Sequence, residues 1–198
     1  MATFRRAKHG NGYFFTVAAY RRRPILCNPD IRTALRETII QTRQHHPFII
    51  NAWVLLPDHL HTIWTLPEND TDYSIRWALI KRKVSQRCDR QYTPAAKTAS
   101  HTDKREASIW QRRFWEHSIC DEADFSTHMD DIHFNPLKHG LVTRVSDWPY
   151  SSFHRCQNQG IYPHDWCGNG QIADEMHFGE PWAFFVGWAH ATTKKPYL

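Results

Sequence analysis

The chain has 198 residues, of which 41% are hydrophobic and 23% charged, and this composition suits one domain with an ordinary core plus an appendage. A formal net charge of +5 predicts a basic surface that suits a polyanionic partner such as nucleic acid. The five cysteines are scattered and odd in number, which argues against a disulfide framework or a structural zinc ribbon. We therefore expect a protein of the reducing cytoplasm.

No stretch of the sequence has the pattern of a secretory signal or a membrane span. Three basic residues near the N-terminus, Arg5, Arg6 and Lys8, are not followed by an apolar run of signal length. The longest apolar run, from Trp182 to Val186, is far too short to cross a bilayer. We expect a soluble and unprocessed chain.

The chain begins with the pattern of a strand followed by a helix. Residues 13–20 are mainly aromatic, β-branched or small and lie between turn-forming residues, which is typical of a strand. Asn28-Pro29-Asp30 has the composition of a helix start with proline in the first turn. Apolar residues then recur at helical spacing as far as His45, so a first helix is predicted there.

A hairpin and a second helix follow. The runs 48–56 and 59–66 have strand composition and are separated by Pro57-Asp58, which favours two adjacent antiparallel strands. From Tyr73 the apolar residues fall at helical spacing, with a stripe of basic residues along the flank of that helix. Residues 93–106 are small, polar and charged without periodicity, and predict a mobile loop.

The last predicted elements are a short strand and a third helix. Residues 115–120 can form the strand, and Asp121 is the expected N-cap of the helix. The buried face of this helix is predicted at Phe125, Met129 and Ile132. Pro136 is expected to limit the helix, because proline pushes the residue before it away from helical dihedral angles.

The order strand, helix, strand, strand, helix, strand predicts an α+β fold, the ferredoxin-like or split βαβ sandwich with an antiparallel sheet. Helices should cover one face of that sheet and leave the other face free for a substrate. We place this domain at residues 1–145. Residues 146–198 are expected to form a C-terminal extension that packs on or near the same domain.

A candidate metal site arises from two separate motifs. His59 and His61 lie two apart on a strand, so both imidazoles point to one side, and histidine is the commonest protein ligand for metals. On the third helix a polar row at steps of four, three and four approaches them, and its last members are Asp131 and Asn135. Taken alone, such a row is also what a solvated helix face looks like.

The sequence resembles the REP-associated tyrosine transposases, named for repetitive extragenic palindromes. The resemblance covers most of residues 10–166 and rests on four segments: 51–67 (NAWVLLPDHLHTIWTLP), 109–117 (IWQRRFWEH), 132–142 (IHFNPLKHGLV) and 146–152 (SDWPYSS). It implies a ferredoxin-like core, a divalent ion, Mg²⁺ or Mn²⁺, and action on single-stranded DNA that carries hairpins. In the family a tyrosine cleaves and rejoins that DNA through a 5′-phosphotyrosine.

Carried onto this chain, the resemblance makes His59, His61 and Asn135 the metal ligands. The family's nucleophilic tyrosine falls on Asp131, and a carboxylate is a poor substitute because its mixed anhydride with phosphate hydrolyses readily. Three explanations compete: an inactive variant, which we favour, a hydrolytic enzyme in which Asp131 binds metal or activates water, or the use of another tyrosine. Tyr73 and Tyr150 are candidates, although packing explains both more simply.

Six basic residues are predicted to contact the DNA backbone and to make binding salt-dependent. They are Arg76, Lys83, Arg87, Arg112, Arg113 and Lys138. Each of them could equally be a solvated surface charge. A protein that binds DNA hairpins without cutting them is the main alternative to the enzyme, while an RNA-binding module lacks its expected aromatic signature. Both a monomer and a homodimer remain open.

Overall fold

The computed structural model describes residues 11–92 and 109–166. The loop predicted at 93–106 lies outside the described residues, as does most of the predicted C-terminal extension. Within the described ranges the strands are β1 Gly12–Ala18, β2 Ile49–Leu55, β3 His59–Thr65 and β4 Trp115–Ser118. The helices are α1 Pro29–His45, α2 Tyr73–Tyr92, α3 Glu122–Lys138 and α4 Phe153–Asn158.

The strands form one antiparallel sheet in the order β2-β3-β1-β4, which is the strand order of the predicted ferredoxin-like fold. The hairpin between β2 and β3 turns at Pro57-Asp58, as the sequence indicates. The register pairs Thr16 with His61 and Ala18 with His59, so the two predicted metal ligands lie beside the second half of β1. No helix in the described ranges is long and apolar enough to span a membrane.

One face of the sheet, called the first face here, is covered by α1 and α2. Alternate side chains of β1, such as Phe15 and Val17, point into this layer with Trp64 of β3 and Trp77 of α2. The rings of Trp64 and Trp77 stack with centroids 4.3 Å apart, and both side chains are fully buried. Burial of this aromatic layer is the main hydrophobic contribution on that side of the sheet.

The second face is not free, contrary to the sequence prediction. It is covered by α3 and α4, whose Met129, Ile132 and Phe153 pack on Phe14 and Ile63 of the sheet. The amphipathic pattern of α3 had no other apolar surface to bury against, since α1 and α2 already occupy the first face. His59 and His61 therefore do not lie on an open sheet surface.

Helix α3 differs from its sequence prediction at its end. Asp121 is the N-cap as expected, and its carboxylate accepts a hydrogen bond from the Asp124 N–H at 2.8 Å. Pro136, however, lies inside the helix, which continues to Lys138. Proline costs the hydrogen bond that its missing N–H would have donated, but the next turn is kept because the His139 N–H still bonds to the Asn135 carbonyl at 3.0 Å.

The chain after residue 145 contributes to the same core. Ser151 forms an isolated bridge with Val54 at the outer edge of β2, and Ser152 exchanges hydrogen bonds with Trp53. Phe153 of α4 is fully buried in the second face. Within the described range, the proposed boundary at 145 therefore separates two parts of the chain that share one core.

Candidate active site

His59 and His61 lie on the second face at the start of β3, where the hairpin turn delivers them side by side. Both are almost fully buried, at 2% and 1% exposure, and their rings are 4.8 Å apart in an edge-to-face arrangement. Leu60 between them points to the first face. Because side chains alternate along a strand, the two imidazoles face α3 on the second face, while the leucine faces the apolar layer on the first face.

Each imidazole has a hydrogen-bond partner that fixes its orientation through the Nδ1 atom. The carboxylate of Asp58 accepts from His59 Nδ1 at 2.7 Å, and His61 Nδ1 lies 2.8 Å from the Thr16 hydroxyl. Burial opposes ionisation of Asp58, yet the bond from His59 and the nearby charges of His59 and Arg22 hold its pKa below the usual value. Such partners orient the Nε2 atoms of ligating histidines toward a metal.

Helix α3 runs over these histidines. The ring of His128 lies 4.7 Å from Phe14, which itself is 5.5 Å from His61, and the ring of His139 lies 5.4 Å from His59. Residues 131 and 135 are on the helix between those two contacts, on the side shared with His128. Asp131 and Asn135 therefore lie on the stretch of α3 between the residues that contact Phe14 and His59.

Both polar residues of α3 are buried there, at 5% exposure for Asp131 and 1% for Asn135. Burial raises the pKa of the Asp131 carboxyl, with the Lys138 charge and Asn135 acting against the rise. The Lys138 ammonium is 3.7 Å from Asp131 Oδ1, close enough for an ion pair but long for a hydrogen bond. Asp131 is therefore a partly desolvated carboxyl group that contacts Lys138, one of the charges that act on His61.

Three buried polar atoms of the predicted site residues have no hydrogen-bond partner among the described residues. They are His61 Nε2, Asp131 Oδ1 and Asn135 Oδ1. A buried polar atom without a partner costs about 1–3 kcal/mol, so such atoms require an explanation. A divalent cation between an imidazole nitrogen and an amide oxygen would satisfy His61 Nε2 and Asn135 Oδ1, and Mn²⁺ or Mg²⁺ would accept this mixed N/O donor set.

Positive charge surrounds the site. The pKa of His61 is lowered well below its ordinary value by burial and then by the charges of His59, His139, Arg22 and Lys138. A neutral imidazole is the form that binds metal. Arg22 is also ion-paired to Asp58 at 2.9 Å. The side chains around the two histidines thus favour a bound anion such as a phosphate.

Two relatives of known family resemble this chain over most of its length, although no family model matches it. A REP-associated tyrosine transposase of Escherichia coli (strain K12) is 44% identical over 160 residues, which are 81% of this chain and 87% of that protein. A relative from Haemophilus influenzae (strain ATCC 51907 / DSM 11121 / KW20 / Rd) is 43% identical over 173 residues, 87% of this chain and 97% of its own. The chain belongs to the REP-associated tyrosine transposase family.

A solved structure agrees with the family membership. A REP-associated tyrosine transposase bound to a REP hairpin is 43% identical to this chain, with a TM-score of 0.67, and the match covers 84% of this chain and 91% of that one. The fold of the present chain is thus the α+β fold of a family whose members use a tyrosine for cleavage and rejoining.

The two tyrosines considered as replacements do not lie at the histidines. Tyr73 packs on the first face, with its ring 4.8 Å from Tyr13 and 5.4 Å from Phe15. Tyr150 packs against the same apolar cluster, and the Arg32 guanidinium lies 4.5 Å from its ring centroid. The sheet separates Tyr73 from the site, and Tyr150 is held as a packing residue.

The six predicted DNA-contacting residues lie in three places. Arg76 is only 1% exposed, and its guanidinium donates hydrogen bonds to Asp70 and to the Pro47 carbonyl. The prediction that Arg76 contacts DNA is therefore wrong, because these groups are bonded inside the fold. The other two on α2 are Lys83, which is half-buried, and Arg87, which is exposed and pairs with Glu37 of α1 at 2.6 Å. Helix α2 covers the first face, whereas the histidines lie on the second. Arg112 and Arg113 are exposed just before β4, and Lys138 is at the site.

Three residues at the site were missed from the sequence: Thr16, Asp58 and His139. Asp58 is adjacent to His59 in the chain, so a search for carboxylates beside the histidines would have found it. Thr16 is recognisable only once the register of β1 against β3 is known. His139 follows Asn135 by one helical turn and was interpreted only as part of the chain leaving the helix.

Proposed function

We propose that this protein binds single-stranded DNA hairpins of the REP type and holds a divalent ion, Mg²⁺ or Mn²⁺, with His59, His61 and Asn135. In the same proposal the sequence as it stands forms no phosphotyrosine at position 131. It is then a hairpin-binding member of a transposase family that lacks the family's route for strand transfer. The observation that carries the proposal is the pair of buried histidines, His59 and His61, packed under a helix whose residue 131 is a buried carboxyl.

The DNA part of the proposal is supported by the relative that is bound to a REP hairpin, with 43% identity over 84% of this chain. The excess of basic side chains around His61 fits a phosphate group, and exposed Arg112 and Arg113 can add contacts to the backbone. Binding is expected to prefer a hairpin with adjoining single strand over plain duplex.

The metal part of the proposal is supported by two of the buried acceptors without partners, His61 Nε2 and Asn135 Oδ1. Asp58 and Thr16 hold the two imidazoles in place from behind. When bound, the ion polarises a phosphate and stabilises the charge that develops on it. The chain's own contribution is to orient the nitrogens and to exclude water from most of the site.

The absence of strand transfer follows from the chemistry of a carboxyl group. Phosphotyrosine conserves the energy of the broken phosphodiester for rejoining, whereas an acyl phosphate on Asp131 would be lost to water. The raised pKa of Asp131 reduces the fraction of the ionised form that could attack at all. Its ion pair with Lys138 further occupies the carboxylate.

The test uses the full chain with a labelled hairpin that carries a single-stranded flank, in the presence of Mn²⁺. We expect a saturable complex by fluorescence anisotropy, weaker binding to unstructured duplex, and no covalent adduct after denaturation. Equal affinity for duplex would contradict the DNA proposal. A cleaved strand without adduct would instead support the hydrolytic alternative, in which Asp131 activates water, and an adduct would show that another tyrosine is the nucleophile.

A further inference from the structure

A second group of metal-ligating side chains lies where β4 joins α3. His117 is on β4, Cys120 is in the turn before the helix, and Asp124 is in the first turn of α3. One ligand atom from each of the three lies within 4.8 Å of the other two. None of them belongs to the site of His59 and His61, and the proposed function makes no use of them.

Two of the three donor atoms are in direct contact, since Asp124 Oδ2 is 2.8 Å from His117 Nε2. Asp124 Oδ2 also accepts a hydrogen bond from the Cys120 backbone N–H at 2.8 Å, while the Cys120 thiol donates to the Ser118 carbonyl at 3.4 Å. His128, one turn further along α3, has Nδ1 2.9 Å from the Asp124 carbonyl oxygen, to which it is hydrogen-bonded, and 2.9 Å from Asp124 Oδ1. This places an imidazole nitrogen, a thiol and a carboxylate oxygen around one point, with a second imidazole behind the carboxylate.

We propose that His117, Cys120 and Asp124 bind a Zn²⁺ ion, with His128 as the residue that orients the carboxylate. Zinc prefers sulfur, imidazole nitrogen and carboxylate oxygen at about 2.0–2.3 Å, so donors that are now up to 4.8 Å apart would have to close by about an ångström around the ion. The ion would replace the hydrogen bond between His117 Nε2 and Asp124 Oδ2, and the Cys120 thiol proton would be released to solvent. Mg²⁺ and Mn²⁺ bind less well than Zn²⁺ to a set that contains a thiolate.

The electrostatic setting supports a cation despite the positive end of the helix dipole. Asp121 and Glu122 stand beside Asp124 in the first turn of α3, so three carboxylates oppose the dipole. Partial burial raises the pKa of Asp124, but the bonds from Cys120 and His117 outweigh this and lower it. His117, Asp124 and His128 are between 20% and 32% exposed, and Cys120 is exposed, which leaves an entry path for an ion.

Such an ion would tie the edge strand β4 to the helix that carries Asp131 and Asn135. Phe14 lies between the two sites, with its ring 4.7 Å from His128 and 5.5 Å from His61. A zinc ion at the start of α3 therefore fixes the position of the helix over the histidines without touching DNA. Its role is structural, and the group would otherwise be a hydrogen-bonded helix cap.

Cobalt substitution tests the site, because a thiolate bound to Co²⁺ gives a charge-transfer absorption that oxygen and nitrogen ligands do not give. The full chain is stripped with a chelator and titrated with Co²⁺ and then with Zn²⁺. We expect one thiolate-to-cobalt band per chain that zinc abolishes. The band should disappear in Cys120→Ser and persist in Cys27→Ser, a matched change at a half-buried cysteine. It should also persist in the His59→Ala/His61→Ala variant, which separates this site from the first.

A second measurement guards against loss of the fold. Zn²⁺ should raise the thermal midpoint of the wild type and of Cys27→Ser, but leave that of Cys120→Ser unchanged, with normal circular dichroism in all three. The proposal is overturned if the wild type shows no thiolate band, or if the band survives in Cys120→Ser. In either case the group is a helix cap without a metal.

Discussion

His59 and His61 are buried histidines, which changes what their substitution should do. Alanine at 61 removes the Nε2 acceptor and leaves a small cavity, so we expect loss of Mn²⁺ binding together with a stability loss of about 1–3 kcal/mol. Calorimetry with Mn²⁺ at a temperature where circular dichroism shows a folded chain checks the first effect. His154→Ala, which removes a half-buried imidazole bonded to the Trp148 carbonyl, is the control and should keep Mn²⁺ affinity.

The metal assignment would be wrong if His59→Ala and His61→Ala both bound Mn²⁺ as tightly as the wild type. The sequence predicted that this face of the sheet stays free. The burial of the histidines under α3 depends on a contact between His59 and His139, 80 positions apart in the chain, which the local pattern does not contain.

Position 131 offers a gain-of-function prediction. In Asp131→Tyr the phenol would project from the same turn of α3 toward the phosphate that the ion polarises, so a covalent DNA adduct that resists denaturant should form in Mn²⁺ or Mg²⁺. Asp131→Phe has the same ring without the hydroxyl and should form none. Gel electrophoresis of labelled hairpin DNA after denaturation measures the adduct. Failure of the tyrosine variant while it still binds DNA would show that α3 is not aligned with the scissile phosphate.

His133 predicts how stability changes with pH. Burial, and then the Arg155 charge, lower its pKa from 6.5 to about 3, while the unfolded chain takes up a proton near its ordinary pKa. The contribution of His133 to the free energy of unfolding is therefore fully present above about pH 6.5. It decreases between about pH 6.5 and pH 3, by up to about 1.4 kcal/mol per pH unit. His133→Gln keeps a donor for Ser152 and should make this fall shallower in urea unfolding. The same change at exposed His164 should leave the slope as it is.

At the level of elements, Arg76 of α2 and Arg113 just before β4 are both arginines, but they have different roles. The side chain of Arg76 is held by Asp70 and by the Pro47 carbonyl, so Arg76→Ala should cost about 2–4 kcal/mol and leave the salt dependence of DNA binding unchanged. Arg113→Ala removes an exposed charge and should do the reverse, lowering the slope of log affinity against log salt by about one. Anisotropy titrations at several salt concentrations, with urea unfolding, distinguish the two outcomes. A reduced slope in Arg76→Ala at unchanged stability would contradict the assignment.

The elements that sequence reasoning obtained correctly are those fixed by local chemistry. The period of two in β3, the turn at Pro57-Asp58 and the N-cap at Asp121 each follow from neighbouring residues, and together they imply the order of strands and helices. The burial of Arg76 does not, because one of its acceptors is the carbonyl of Pro47, 29 residues earlier. The sequence also did not predict that the second face is covered, because this depends on how α3 and the chain after it pack against the sheet.

At the scale of the whole molecule, the two faces of the sheet are covered by different parts of the chain. Helices α1 and α2 cover the first face, while α3 and the chain from 146 to 166 cover the second. The later segment also borders the outer edge of β2, where the Trp148 indole donates to the Leu55 carbonyl at 3.0 Å. Tyr162 donates to Asp130 on α3 at 2.5 Å, so the same segment helps to hold the helix over the histidines. The placement of α3 over the histidines therefore depends in part on the segment from 146 to 166.

This link predicts the effect of shortening the chain. A version that ends at residue 145 loses Phe153, whose burial alone is worth about 3–5 kcal/mol, and exposes the edge of β2 to pairing with other chains. Since small domains are stable by only about 5–15 kcal/mol, we expect it to aggregate or to unfold without a cooperative transition. A version that ends at residue 166 keeps every contact described above and serves as the matched control. Urea unfolding followed by tryptophan fluorescence compares them, and a cooperative transition of the shorter chain within about 1 kcal/mol of the longer one would show that residues 1–145 fold as an independent domain.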